Sequence, residues 1–129
     1  MAAPLRIDTR QQLGKHNAKN RWFAEHGVET VAVKLDAGDY AYASSNILID
    51  TKKDVDELSM DVGKDHARFV REIDRAAAMG CRLVILIEQH PEYNDRENLL
   101  EENHGAKFVF CSKSKSAQVI CDMMGIPYD

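Results

Sequence analysis

The segment GDYAYASSNILIDTKKDVDEL, residues 38–58, places the apolar run Ile47–Ile49 directly before Asp50, Thr51 and Lys52. The run predicts a strand that continues to Lys52, and side chains two apart on a strand point to the same face, roughly 6.6 Å apart. We therefore expect Asp50 and Lys52 to project together. This arrangement fits two interpretations: a strand end that faces solvent, or an acidic site with a lysine beside it.

A second carboxylate, Asp39, lies near the end of the preceding segment and would face Asp50 if the two segments pair as strands. Two facing carboxylates repel each other unless a positive charge lies between them, and a hard divalent cation meets this need. Such a cation activates a bound water, while a neighbouring lysine orients that water or stabilises developing negative charge. Two acids and a lysine are the minimum set for phosphodiester hydrolysis, but their spacing alone leaves both interpretations open.

The composition predicts one globular domain over residues 1–129, with 44% hydrophobic and 29% charged residues. We expect no membrane span and no secretory signal, because no apolar run has the required length. The three cysteines form no CxxC pair and the five histidines are scattered, which favours a cytoplasmic protein without structural zinc. A formal net charge of −4 argues against a uniformly basic surface for nucleic acid but allows a local basic groove.

Hydrophobic periodicity and turn residues predict strands and helices along most of the chain. The predicted strands span residues 5–8, 28–35, 47–52, 83–87 and 106–111, and the predicted helices span residues 15–26, 55–62, 66–79, 96–103 and 116–124. Asp65 is the expected N-cap of the third helix, whose apolar face we place at Phe69, Val70, Ile73, Ala76 and Ala77. The apolar run at 83–87 is typical of a central strand covered on both faces. This order predicts an α/β fold with a central mixed β-sheet flanked by helices.

The central segment resembles the pattern GDx(n)ERKx(3)D of the XPF-type structure-specific endonucleases, a branch of the PD-(D/E)XK nuclease superfamily. The tripeptide at 38–40 matches GDY, and Asp50, Thr51, Lys52 and Asp56 stand at the positions of the Glu, Arg, Lys and final Asp.

Three flanking segments extend the resemblance over nearly the whole chain. The tripeptide DTR at 8–10 resembles the family's DTRE, with Gln11 at the position of the acid. Arg68-Phe69 resembles the family's GRF segment, and residues 108–113 resemble the last strand of short single-domain members from phage and bacteria.

The resemblance implies a restriction-endonuclease-like fold and an endonuclease, dependent on Mg²⁺ or Mn²⁺, that hydrolyses phosphodiester bonds in branched or otherwise structured DNA. It implies Asp39, Asp50 and Lys52 as catalytic residues. The metal ligands would be Asp39 and Asp50, assisted by Asp8 and the Thr51 carbonyl. By the same analogy we expect a possible homodimer in the cytoplasm of a bacterial or phage-infected cell, with a role in DNA repair or recombination.

Other charged residues have supporting roles in this interpretation. We expect Asp56 to pair with Lys52 or to cap the following helix, and Arg10 to pair with a carboxylate or contact DNA. Glu88 lies at the sheet edge near the site, or it is a strand-end acid without a function. Four cations are candidate phosphate contacts, since such contacts position DNA on a protein: Lys53, Lys64, Arg68 and Arg71.

Two departures from the family pattern keep further hypotheses open. Thr51 replaces an arginine that supports the active site and contacts phosphate, and Gln11 removes one acid. The main alternative is therefore a catalytically inactive nuclease-fold domain that binds DNA or acts as a scaffold. A third hypothesis, a phage-encoded inhibitor or partner of a host protein, rests only on the small acidic chain.

Overall fold

A computed structural model describes residues 3–10, 16–64, 66–90 and 105–129. The strands within these ranges are β1 (Leu5–Asp8), β2 (Thr30–Val33), β3 (Tyr40–Ala41), β4 (Ile47–Lys52), β5 (Arg82–Ile87) and β6 (Lys107–Phe110). The α-helices are α1 (Asn17–Glu25), α2 (Val55–Gly63), α3 (His66–Ala78) and α4 (Ser116–Met124), and a single 3₁₀ turn at Lys113–Lys115 precedes α4. No helix in these parts of the chain is both long and apolar enough to span a membrane.

The six strands form one mixed sheet in the order β2-β1-β3-β4-β5-β6. The short strand β3 is antiparallel to both of its neighbours, β1 and β4. The outer pairs are parallel: β2 runs in the same direction as its neighbour β1, and β4, β5 and β6 all run in one direction. This topology confirms the predicted α/β fold with a central mixed sheet, and it is consistent with a restriction-endonuclease-like fold.

Each face of the sheet carries its own apolar core. On the α1–α4 face, Phe23 and Ile120 pack against one side of the strands. On the α2–α3 face, Leu58 and Phe69 pack against the other side. Strand β5 contributes to both cores, because its residues alternate between the faces and Leu83–Ile87 is buried throughout. The prediction of a central strand covered on both faces is therefore confirmed.

Strand β2 is shorter than the predicted span 28–35 because side-chain and helix-end contacts use the flanking backbone. The Val28 N–H donates to the Phe23 carbonyl at 2.9 Å and so closes the end of α1. At the other end, the Leu35 N–H donates to Asp8 Oδ1 at 3.1 Å. The N–H groups of Val28 and Leu35 are therefore not used for pairing with β1.

Other differences concern short or amphipathic segments. The sequence did not predict β3, whose two residues are too few for an alternating pattern. The face of α3 is also narrower than predicted: Phe69, Ile73 and Ala76 are buried, whereas Ala77 is exposed. The predicted cap at Asp65, position 11 of the DTRE-like segment and the helix predicted over 96–103 lie outside the described residues.

Candidate functional site

The pairing of β3 with β4 places Asp39 beside the carboxyl end of β4. Tyr40 lies opposite Ile49 in the register, and the Asp39 N–H donates to the Ile49 carbonyl at 2.7 Å. Asp39 Oδ2 then accepts both the N–H and the hydroxyl of Thr51, each at 2.9 Å. The Asp39 carboxylate thus accepts the Thr51 N–H as a backbone carbonyl of a neighbouring strand would, and it adds one hydrogen bond to the β3–β4 ladder.

Gly38 makes the turn before Asp39 possible. Its φ is +76°, a left-handed conformation that favours glycine. A Cβ at this position would also lie 3.1 Å from the Ile49 carbonyl oxygen. Glycine is therefore favoured here for two reasons, and a larger residue would be strained in this turn.

Asp50 and Lys52 project together from β4 towards α3, as the strand period predicts. Asp50 Oδ2 lies 3.1 Å from Lys52 Nζ, and both side chains are only 14% exposed. A pocket between β4, β5 and α3 contains this ion pair together with Arg68 and Glu72, and its apolar lining comes from Phe69, Leu83 and Ile85. The pocket is the natural place for a substrate phosphate or a cation to approach the pair.

Glu72 is a third carboxylate at this site that the sequence interpretation missed. It comes from α3, and its Oε1 accepts the Gly38 N–H at 3.3 Å. A signal was present in the sequence, because Glu72 lies three residues after Phe69 and four before Ala76, on the stripe that faces the sheet. A carboxylate on the buried stripe of an amphipathic helix needs a partner, and the pocket supplies it.

Three carboxylates, from Asp39, Asp50 and Glu72, share the site with two cationic side chains, Lys52 and Arg68. Burial raises the pKa of Asp50 well above its usual value, repulsion from Asp39 raises it further, and the Lys52 ammonium opposes both. Burial likewise raises the pKa of Glu72, and Lys52 and the Gly38 N–H oppose this shift. The cationic side chains thus compensate only in part for the burial of the Asp50 and Glu72 carboxyl groups.

A divalent cation fits this imbalance. Mg²⁺ is commonly bound by one or two carboxylates, with waters and substrate phosphates in the other positions. Asp39 and Asp50 match this donor set, and the two hydrogen bonds from Thr51 both use Oδ2 of Asp39, so its Oδ1 is the oxygen suited to a cation. In the described part of the chain, no three His, Cys, Asp or Glu side chains form a ready-made metal cage.

Asp8 and Arg10 form a hydrogen-bonded cluster next to Asp39. The Asp8 N–H donates to the Asp39 carbonyl at 3.0 Å, while the Asp8 carboxylate lies 3.1 Å from Arg10 Nε and accepts the Leu35 N–H. Arg10 Nη2 also donates to the Leu35 carbonyl. Arg10 therefore pairs with the Asp8 carboxylate, which was one of the two roles expected for it. The role of Asp8 as a metal ligand stays a prediction.

Of the remaining predicted residues, Arg68 is the one that lines the pocket. Asp56 is exposed in the first turn of α2, and the helix-capping role considered for it belongs to Asp54, whose Oδ1 accepts the Glu57 N–H at 2.9 Å. An Asx N-cap satisfies the free N–H groups of a helix start, and Asp54 directly precedes α2. The four candidate phosphate contacts are all exposed, and one of them, Arg68, also lines the pocket.

Glu88 lies on the opposite face of the sheet from Asp50, which excludes it from the pocket. Its carboxylate binds Lys19 of α1 through both oxygens, at 3.0 and 2.9 Å. Both side chains are nearly fully buried, at 6% and 4% exposed. The expected position of Glu88 near the site is therefore wrong, and the residue instead forms a buried ion pair that attaches α1 to the sheet.

The charge imbalance predicts an unusual pH dependence of stability for Asp50→Asn in metal-free buffer. A carboxyl whose folded pKa is raised loses stability as the pH rises from about 4 through that pKa. The asparagine variant lacks this loss, so we expect it to be more stable than wild type at pH 8, with an advantage that shrinks towards pH 4. Melting temperatures measured in EDTA across this range check the prediction.

The matched control is Asp74→Asn, which changes an exposed acid on α3. Its melting temperature should differ from that of wild type by a small and constant amount. A difference between Asp50→Asn and wild type that does not vary with pH would contradict the raised pKa of Asp50.

Comparison with known proteins agrees with the resemblance in the sequence. The family model of the ERCC4 domain matches residues 7–125, which is nearly the whole of the 129-residue chain. This family contains the XPF-type nucleases, which act on structured DNA, so the identification made from the central motif is confirmed. No curated protein sequence matches the chain.

Proposed function

The chain belongs to the ERCC4 domain family of XPF-type nucleases, and on this basis we propose that it is an active endonuclease, dependent on Mg²⁺ or Mn²⁺, that cleaves branched or otherwise structured DNA. The observation that carries the proposal is the arrangement at the end of β4. There Asp50 and Lys52 lie 3.1 Å apart, beside an Asp39 carboxylate held at 2.9 Å by Thr51. These are the residues of the family motif, brought together by strand pairing.

In this proposal Asp39 and Asp50 hold the metal ion. The Thr51 carbonyl is a further ligand, because the N–H and C=O of one strand residue point to the same side and the Thr51 N–H faces Asp39. Asp8 assists from the neighbouring strand. When bound, the ion supplies Lewis acidity, which activates a water and polarises the scissile phosphate.

Lys52 orients the attacking water and stabilises negative charge that develops on the phosphate. Its side chain is only 14% exposed, and electrostatic interactions are stronger in such a partly desolvated pocket than in water. The ion pair with Asp50 keeps the ammonium at the pocket wall. Asp50 therefore has two roles, as a ligand and as the group that positions Lys52.

The replacement of the family's arginine by Thr51 favours the alternative of an inactive DNA-binding or scaffolding domain. Against this alternative, the Thr51 side chain is 1% exposed and its hydroxyl binds Asp39. The substitution thus removes a guanidinium but adds a contact that holds a metal ligand. We infer that Thr51 lowers phosphate affinity more than it disturbs the metal site.

Cleavage assays with purified protein test the proposed function. Flap, fork and Holliday-junction substrates are compared with linear duplex of the same sequence, with Mg²⁺, with Mn²⁺ or with EDTA. We expect cleavage of at least one branched substrate that requires the metal, and little cleavage of linear duplex. If no substrate is cut but branched DNA is still bound, the inactive alternative is correct.

The exposed arginines of α3 provide a prediction for DNA binding. Arg68 lines the pocket and Arg71 lies three residues later, where the helix period brings it beside Arg68. In Arg68→Ala/Arg71→Ala, the slope of log K against log salt should fall by about 1 for each phosphate that the variant no longer neutralises. Binding to a fork is measured in Ca²⁺, which permits binding without turnover.

The control for this prediction is Arg82→Ala. Arg82 is equally exposed, but it begins β5 at the end of the sheet opposite Lys52. An unchanged salt slope in the double variant, or an equal change in Arg82→Ala, would contradict a DNA path across α3. Contacts by Lys53 and Lys64 are proposed on exposure and charge alone.

Three further expectations stay predictions: a single domain over residues 1–129, a homodimer and a cytoplasmic location. Light scattering of the purified protein decides the second of these. A mass of one chain at concentrations that support cleavage would exclude a required dimer.

A further inference from the structure

Glu72 reaches the site from α3, whereas the proposed catalytic residues Asp39, Asp50 and Lys52 lie on or beside β3 and β4. Its Oε1 accepts the Gly38 N–H at 3.3 Å, and Gly38 directly precedes the proposed ligand Asp39. The same carboxylate lines the pocket that contains Asp50 and Lys52. Glu72 therefore binds the turn before Asp39 through a hydrogen bond, and its charge acts on Asp50 and Lys52 in the pocket.

Lys52 and Glu72 line the same pocket, so their opposite charges attract each other. After burial, the attraction of the Lys52 ammonium is the largest influence on the pKa of Glu72. The ammonium also lies 3.1 Å from Asp50 Oδ2. Lys52 is thus paired with a carboxylate of β4 and attracted by a second carboxylate from α3.

A purely structural role does not require this charge. The loop before Gly38 is already attached to α3, because Arg75 Nε donates to the Asp36 carbonyl at 2.9 Å. An amide at position 72 would accept the Gly38 N–H equally well, without the free-energy cost of burying a carboxylate. A charged group at this position is explained by its action on Lys52.

We propose that Glu72 is a positioning residue of the nuclease site: it holds the Gly38–Asp39 turn through the Gly38 N–H and holds the Lys52 ammonium through its charge. The inference rests on the proposed function and deepens it. It assigns to α3 a share in the geometry of a site whose proposed catalytic residues lie on or beside the strands β3 and β4.

Two variants separate the roles of the hydrogen bond and the charge. Glu72→Gln keeps an acceptor for Gly38 and removes the charge, whereas Glu72→Ala removes both. The matched control is Asp74→Asn, an exposed acid two residues away on α3. Thermal melts confirm that each variant is folded, and Glu72→Gln is expected to fold because it removes only a charge.

We expect Glu72→Gln to lower kcat by about tenfold, with the KM for DNA and the Kd for Mn²⁺ within about twofold of wild type. In Glu72→Ala the Kd for Mn²⁺ should rise by about tenfold as well, since Asp39 loses its support. In metal-free protein, hydrogen exchange of the Gly38 amide should be faster in Glu72→Ala and unchanged in Glu72→Gln and Asp74→Asn.

Equal kcat values for Glu72→Gln and wild type would overturn the proposal that the Glu72 charge positions Lys52. An unchanged exchange rate of the Gly38 amide in Glu72→Ala would overturn the proposal that Glu72 holds the Gly38–Asp39 turn. The experiment also separates this inference from the proposed function. If wild type binds Mn²⁺ but cuts no DNA, the proposed function is wrong, and the Mn²⁺ affinity and amide exchange still decide the role of Glu72. If wild type fails to bind Mn²⁺, both proposals are overturned.

Discussion

Replacing Lys52 by alanine should lower the rate of cleavage of branched DNA by about 10²- to 10³-fold, because it removes the cation that stabilises developing negative charge in a partly desolvated pocket. Asp50→Ala should cost at least as much, since it removes a proposed metal ligand and also releases Lys52 from its 3.1 Å contact. Single-turnover rates on a fork substrate with saturating Mn²⁺ measure the chemical step directly.

The two variants should differ in metal binding. Calorimetric titration with Mn²⁺ should give near wild-type affinity for Lys52→Ala and strongly reduced affinity for Asp50→Ala. The controls are Lys107→Ala and Asp74→Ala, which change exposed residues away from the pocket. Cleavage by both site variants at the wild-type rate would show that the observed nuclease activity does not come from this site.

Replacing Lys19 by alanine should lower the free energy of unfolding by about 3–5 kcal/mol, because it leaves the Glu88 carboxylate buried without its partner. The two side chains are 4% and 6% exposed and lie 2.9 Å apart. Urea denaturation followed by circular dichroism measures the change. A comparable truncation of an exposed lysine, Lys107→Ala, should stay within about 0.5 kcal/mol of wild type.

A double replacement provides a sharper comparison. In Lys19→Met/Glu88→Leu both charges are absent, so most of the stability should return. The pair also bears on the site, because the Glu88 N–H donates to the Lys52 carbonyl at 2.8 Å on the neighbouring strand. A decrease below about 1 kcal/mol in Lys19→Ala would contradict the buried ion pair and imply that water reaches Glu88.

Much of the fold was predictable because it depends on local patterns. The bounds of β4 and α4 match the sequence predictions, since a β-branched run with a polar end and an amphipathic helix with a glycine after it are both local signals. Strand β3 was not predictable in this way. Its two residues form a strand only because β1 and β4 lie on either side of it.

The faces of the sheet show the same limit. The apolar run of β5 does not indicate which side each residue meets, since both faces are covered and no polar residue alternates with the apolar ones. The side of the sheet on which Glu88 lies therefore could not be known from the sequence. Its partner, Lys19, is 69 residues away in the chain.

The sequence by itself determined that Asp50 and Lys52 share a face, because the period of two in a strand is set by backbone geometry alone. It also contains the glycine that the left-handed turn before Asp39 favours. Only the tertiary structure decided what surrounds them. Thr51 binds Asp39, and Glu72 of α3 binds Gly38, because strands pair and helices pack between distant segments. Glu88 lies outside the pocket for the same reason, since it binds Lys19 of α1. Such contacts depend on how the faces of the sheet and of the helices fit together, and a local sequence pattern does not specify this fit.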